Sequence, residues 1–171
     1  MQETAARDIV MAGYAGSGEI RRLLEEKRAS LLRRFPGGWL EGAYARSAGV
    51  PVETIRRVVE QNGPGIVMPA GNGGIMALLW DLCEAFDTGL RVGLREIPVA
   101  QETIEICEYL DLDPYRIDAA GAALILTDRP YLLCCLLADE KIPAAVIGRT
   151  AAGRDKLIIN DGRVSFLNRP R

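Results

Sequence analysis

The sequence predicts an α+β domain in which helices pack on a largely antiparallel sheet. Three observations predict it. Helix-period and strand-period segments alternate along the 171 residues. The run Ala122-Ala123-Leu124-Ile125-Leu126-Thr127 is short and apolar, which fits a central strand buried on both faces. Finally, Asn160-Asp161-Gly162 between two β-patterned runs predicts a closing hairpin, which has no place in a purely parallel sheet. A chain of this length forms one domain, residues 1–171, and buries roughly 70% of the surface its unfolded form exposes. No internal repeat or low-complexity linker divides it.

The elements follow in order. Residues 8–11 form a short strand, and Ser17 precedes a helix in which Ile20, Leu23, Leu24, Leu31 and Phe35 fall near one stripe. Pro36-Gly37-Gly38 stops that helix. After a short segment at residues 39–45, Pro51 suits the first turn of a helix whose Ile55, Val58 and Val59 face inward, and Gly63-Pro64 ends it. Residues 66–68 form a brief strand. From Gly74 to Thr88 a helix carries Ile75, Leu78, Leu79, Leu82, Cys83 and Phe86 at spacings of three and four, with Gly89 at its end. Residues 90–97 alternate as a half-buried strand.

Pro98 introduces a helix with Thr103, Ile106, Cys107 and Leu110 on one side, closing near Asp113-Pro114. After the strand at residues 122–127, Asp128 caps a helix that runs through Cys134-Cys135 to Lys141. Ile142-Pro143 then delivers the chain into a strand at residues 144–149. Residues 156–159 and 163–167 flank the hairpin turn.

Composition bounds the chemistry. The formal net charge is −2 and the pI near 5.3, so no basic field holds a polyanion, and nucleic-acid binding is disfavoured. Arg33-Arg34 and Arg56-Arg57 sit on predicted helices as solvated faces. Residues 1–10 lack the basic-then-apolar order of a leader, and acidic residues interrupt every long apolar window, which reads as a cytoplasmic chain without a membrane span. Four cysteines, Cys83, Cys107, Cys134 and Cys135, fall on three predicted helices without metal-ligand spacing, and buried thiols are expected. A redox role for adjacent Cys134 and Cys135 is opposed by helical geometry, which points neighbours about 100° apart. The chain contains no histidine, so Ser-His and Cys-His activation are excluded. Carboxylates such as Glu25, Glu26, Glu84, Glu102 and Glu105 occupy polar helix positions, where solvated charge is expected.

The candidate site is Gly71-Asn72-Gly73-Gly74, a glycine turn opening directly into an apolar helix. Bare backbone can approach an anion there, and a helix start offers unpaired N–H groups. Asn72 is available to hydrogen-bond a ligand. Residues 65–79 contain no Asp, Glu, Ser, Thr, Lys or His, so the turn carries neither a metal ligand nor a proton carrier. The competing reading is that these glycines serve only a tight turn and close helix packing.

From residue 73 onward, several short words occur in a specific order: Gly73-Gly74-Ile75, Gly89-Leu90 with Ile97-Pro98, Glu102-Thr103-Ile104-Glu105-Ile106-Cys107-Glu108, Asp113-Pro114-Tyr115-Arg116, and Ile142-Pro143-Ala144-Ala145-Val146-Ile147-Gly148-Arg149 ahead of the hairpin. Asp8-Ile9-Val10-Met11 adds an opening strand. This pattern resembles the C-terminal domain of the aminoimidazole ribonucleotide synthetase (AIR synthase) superfamily, particularly hydrogenase maturation factors. The resemblance implies α/β/α layers with a mixed, largely antiparallel sheet. In full-length relatives such a domain sits behind an N-terminal ATP-binding, dimer-forming domain that this sequence lacks.

The departures from the family pattern remove polar groups. A His-Asp-Val-Thr-Glu segment of relatives reads Met68-Pro69-Ala70-Gly71-Asn72 here, Thr-Lys reads Ala12-Gly13, and Ser-Ser-Gly reads Ala119-Ala120-Gly121. Hard cations need oxygen ligands, and these positions no longer supply them. The C-terminal cysteine of maturation factors is also missing from Asn168-Arg169-Pro170-Arg171. The expectation is a stand-alone, non-catalytic binding or assembly module without catalytic residues, metal or cofactor, partnered by another protein, a second copy or a phosphate-containing small molecule. The alternative is one subunit of a split ATP-dependent synthetase or maturation factor, with ATP and magnesium held by a separate nucleotide-binding partner. Trp39, Leu40 and Tyr44 are candidates for an exposed oligomerisation patch, with core packing as the alternative for Trp39.

Overall fold

A computed structural model describes residues 5–170. The leader-free reading of residues 1–4 and the reading of Arg171 at the C-terminus lie outside the described residues. The elements are β1 (Asp8–Ala12), α1 (Ser17–Glu26), α2 (Arg28–Leu31), α3 (Gly37–Arg46), α4 (Val52–Asn62), β2 (Gly65–Pro69), α5 (Gly74–Phe86), β3 (Gly89–Gly93), α6 (Gln101–Leu110), β4 (Ala123–Thr127), α7 (Pro130–Asp139), β5 (Ala144–Ala151), β6 (Lys156–Asn160) and β7 (Arg163–Phe166). The seven strands form one sheet in the order β2-β4-β1-β5-β3-β6-β7. Its pairings are antiparallel except for the parallel pair of β3 and β6. This is the mixed, largely antiparallel α+β architecture that the alternating pattern predicts.

Two helical layers sandwich the sheet. On one face, Ile75, Leu79 and Leu82 of α5 pack on Ile9 and Met11 of β1, Leu124 of β4, and Leu90 and Val92 of β3. On the other, Ile55 and Val58 of α4 and Leu133 and Leu137 of α7 cover Val10, Ala12, Ala123 and Ile125. Strands β1 and β4 are covered on both sides, and each buried apolar side chain contributes about 1.5–3 kcal/mol relative to exposure. A third cluster joins α1, α2, α3 and α6 through Ile20, Leu24, Leu31, Leu40 and Ile106. No helix among the described residues is long and apolar enough to cross a membrane.

Several boundaries differ from the sequence-based expectation. The helix predicted through Phe35 breaks at Lys27 (φ −120°, ψ 23°), which lets Leu31 and Phe35 fold onto the cluster that holds Leu40. Arg33 and Arg34 therefore lie in a turn after α2, exposed. Residues 37–46 are helical despite the paired glycines, because extended Pro36 (ψ 148°) occupies the N-cap position. As a result Leu40 is fully buried, the Trp39 ring stacks on Phe35 at 4.4 Å, and Tyr44 lies under Arg21. These three residues knit helices together and form no free apolar patch.

Strand β3 ends at Gly93, where a 3-10 turn, Leu94–Glu96, swings Ile97 into the core. Helices α5 and α6 close earlier than predicted, on Asp87 (φ 45°) and Asp111 (φ 55°). Asp128 does not cap α7. Arg129 takes that place, its N–H donating to Thr127 Oγ1 at 3.0 Å. Helix α7 ends at Asp139, and β5 runs two residues beyond the expected end.

Candidate functional site

Three turns converge on residues 119–122, the stretch leading into β4. Ser17 Oγ at the start of α1 donates to the Ala120 carbonyl at 3.1 Å. The Val50 N–H donates to the Gly121 carbonyl at 2.9 Å, and the Ala70 N–H to the Ala122 carbonyl at 2.9 Å. The approach is close enough that a Cβ on Gly121 would lie 2.6 Å from the Gly49 Cα. A backbone crossing this tight requires glycine on both strands of the crossing.

The glycine turn borders the same stretch, since the Gly71 carbonyl accepts the Ala119 N–H at 3.2 Å. Gly74 is buried with φ +69°, and a Cβ there would meet the Ile117 carbonyl oxygen at 2.5 Å. Two donors at the start of α5 are spent internally: the Gly74 N–H on the Gly71 carbonyl and the Met76 N–H on the Tyr115 carbonyl, both at 3.1 Å. Asn72 and Gly73 form the solvent-facing part of the turn. The four residues named from the sequence thus stand together, with Gly74 serving packing and the Asn72-Gly73 edge open.

Across residues 119–122 lies a cleft of about 300 Å³. Gly13, Tyr14 and Ser17 from the β1–α1 turn line it, with Arg46, Gly49 and Val50 from the end of α3, and Lys141 and Pro143 from the approach to β5. The lining contains two cations, two hydroxyls and no carboxylate. Lys141 is exposed, in left-handed backbone (φ 59°), and makes no ion pair among the described residues.

Arg46 is held from behind by Glu102, which donates nothing and accepts a hydrogen bond from the guanidinium. Glu102 is only 8% exposed, which corrects the expectation of a solvated side chain. Burial works against its charge, but the Arg46 hydrogen bond, a backbone hydrogen bond and the Arg46 charge together keep its carboxyl below the ordinary range. The same contact raises the Arg46 guanidinium, which stays charged. Of the other acidic residues named, Glu25, Glu26 and Glu84 are exposed and face arginine or lysine, and half-buried Glu105 accepts from Gln101.

The cysteines also need correction. Cys83 and Cys107 are buried, and burial pushes both thiols up to about 11. Cys134 is partly covered and its thiol is raised, chiefly by burial. Cys135 is exposed, because position 135 lies on the outer side of α7. All four are free thiols. Among the described residues no three Cys, Asp or Glu side chains gather as a metal-ligating group.

Sequence reasoning missed Tyr14, Arg46 and Lys141. Tyr14 and Lys141 stand in connections and Arg46 ends α3, and only the fold brings the three to one cleft. The available signal was the arginine at the end of residues 37–46, once that segment is recognised as a helix.

No protein-family model matches the chain. No curated protein matches it in sequence. Solved structures do match. E. coli HypE, described as a hydrogenase maturation protein, superposes with a TM-score of 0.77 at 20% identity, over 99% of this chain and 52% of its own. The fold is that of the AIR synthase-related proteins. A HypE structure in complex with ATP gives 0.71 at 16% identity, over 96% of this chain and 51% of that one. Thiamine monophosphate kinase of Aquifex aeolicus gives 0.58 at 12%, over 93% and 51%. The chain therefore spans about half the length of the proteins that share its fold. Within this AIR synthase-related fold, several words that carry the resemblance are spatial neighbours: Gly74 packs on the backbone of Tyr115 and Arg116, and Pro143 accepts the Gly13 N–H in the cleft wall.

Proposed function

We propose that this chain is a ligand-binding module of the AIR synthase-related fold, which holds a small phosphate-bearing anion without turning it over. The cleft beside residues 119–122 carries the reading: Arg46 and Lys141 line it and no carboxylate does. A guanidinium fixed from behind by a carboxylate presents its remaining N–H groups in a set direction, which suits a phosphate's oxygens. A divalent cation wants several oxygen ligands, and the lining supplies only the Tyr14 and Ser17 hydroxyls and main-chain carbonyls. The open Asn72-Gly73 edge of the glycine turn, on the other side of residues 119–122, is a second anion contact in this proposal.

Calorimetric titration with inorganic phosphate and pyrophosphate at low salt tests it. Saturable binding is expected, weakened roughly tenfold by Lys141→Met, the loss of one charge-assisted contact. Gly73→Asp reports on the glycine turn separately. Magnesium-dependent ATP binding followed by phosphate release from the chain alone would overturn the non-catalytic reading.

The half-length match favours one second reading, a subunit of a split ATP-dependent synthetase or maturation factor. HypE has been seen in complex with ATP, and a HypE–HypF complex covers 96% of this chain and 53% of its own with a TM-score of 0.75 at 15% identity. ATP turnover that arises only when a separate nucleotide-binding partner is mixed in would support that reading over the first.

A further inference from the structure

The sheet is covered unevenly. On the face that carries α4 and α7, the helices lie over β2, β4, β1 and β5 and stop there. Among the described residues, neither α4 nor α7 covers the next three strands, β3, β6 and β7, and the short 3-10 turn Leu94–Glu96 is the helical element that packs against β6. Leu157 pairs with Phe166 and Ile159 with Val164, while Ile158 between them turns into the opposite core. The four therefore share the bare face, and Val164 and Phe166 are 54% and 67% exposed. They form an apolar floor. These four residues lie on two strands, β6 and β7, and at a spacing of about 4.8 Å the floor is about 10 Å wide, the width of one helix of roughly 10 Å diameter.

The wall of this floor is α7, whose outer side is also apolar. Tyr131 is 77% exposed and Leu132 48%, and exposed Cys135 lies one turn beyond Tyr131. Asp128 and Asp139 bound that stripe. At the inner edge of the floor stands Arg91, in register with Leu157 and Phe166. None of Asp128, Asp139 and Arg91 has an ion-pair partner among the described residues. An acidic-edged apolar helix and an arginine-edged apolar floor thus sit side by side on one surface.

We propose that two copies of this chain pair by exchange, with α7 of each lying on the bare β6-β7 floor of the other. The occupant is a second copy because the surface complements itself in charge: aspartates edge the stripe and an arginine edges the floor beside it. A two-fold rotation that places each stripe on the opposite floor can bring one aspartate end of the helix to Arg91 of the other copy, the other aspartate lying on the order of 16 Å away along α7. Such an isologous contact closes at two molecules, with aromatic side chains at its centre. It covers, in one step, the exposed apolar residues of both α7 and β7. The inference is independent of the anion cleft, since its readout is mass.

Light scattering and sedimentation of the chain across a concentration series test it, and a concentration-dependent dimer is expected. Phe166→Glu spoils the floor and Tyr131→Glu spoils the helix. Both residues are exposed, so folding is spared, which circular dichroism checks. Each variant alone is expected to raise the dimer dissociation constant roughly tenfold or more, as loss of an aromatic anchor does. An equimolar mixture of the two variants retains one wild-type contact per pair, and it should dimerise more strongly than either variant alone. Three outcomes overturn the proposal: a monomer at every concentration, a dimer indifferent to both variants, or a mixture that regains nothing.

Discussion

A methyl group on Gly74 would sit 2.5 Å from the Ile117 carbonyl oxygen, on backbone at φ +69°. Both the clash and the left-handed conformation act against any other residue. Gly74→Ala is expected to cost at least about 2 kcal/mol, whereas Gly71→Ala, with open space around its Cβ, should stay within about 0.5 kcal/mol. Urea denaturation midpoints with unchanged slopes measure the difference. Equal losses at both positions would sink the packing account. The sequence displays the glycine run as a turn, but the backbone against which it packs, Tyr115 to Ile117, becomes visible only when the chain folds back. Glu102 shows the same limit. Its helix position looks polar, and its burial follows from α3, an element that the paired glycines at 37 and 38 conceal.

At the level of elements, the strands were the most legible. Runs such as residues 122–127 need two covered faces, and β4 is buried throughout. The hairpin also lies where Asp161-Gly162 places it, between β6 and β7. Helix ends were less legible, because two of them close on positive-φ positions occupied by Asp rather than glycine, Asp87 and Asp111, and Lys141 takes the same conformation just past the cap of α7. A side chain tolerates that conformation at a modest cost. Asp111→Gly should therefore stabilise the chain by up to about 1 kcal/mol, read as a rise in thermal midpoint. A lower midpoint would show that the aspartate side chain contributes more than its backbone costs.

For the whole molecule, the contact between Arg46 and Glu102 ties α3 to α6 across the third core cluster. The folded carboxyl titrates below the ordinary value of 4.5, so its contribution is present above that pH and is lost as the pH falls through the folded value. Wild type should lose stability on acidification below about pH 5, and Glu102→Gln should lose less over the same window. Parallel acid titrations of the unfolding midpoint would show it, and identical slopes would count against the linkage. The alternation of periods made the architecture readable, whereas the bare part of the sheet was not, because no local pattern tells which half of a strand's outer face a helix will cover.

Strand β1 bonds only to β4 and β5, which arrive in the last third of the chain. A ribosome that has delivered everything up to Asp118 has therefore produced an interior strand of the sheet without either of its neighbours. The first strand must wait, bare along both edges, while the helices between are being made. Loop closure over so many residues is slow, and a waiting apolar strand invites wrong pairings. This topology separates β1 from both its partners by most of the chain, so a nascent chain of this protein needs β4 and β5 before its first strand can settle.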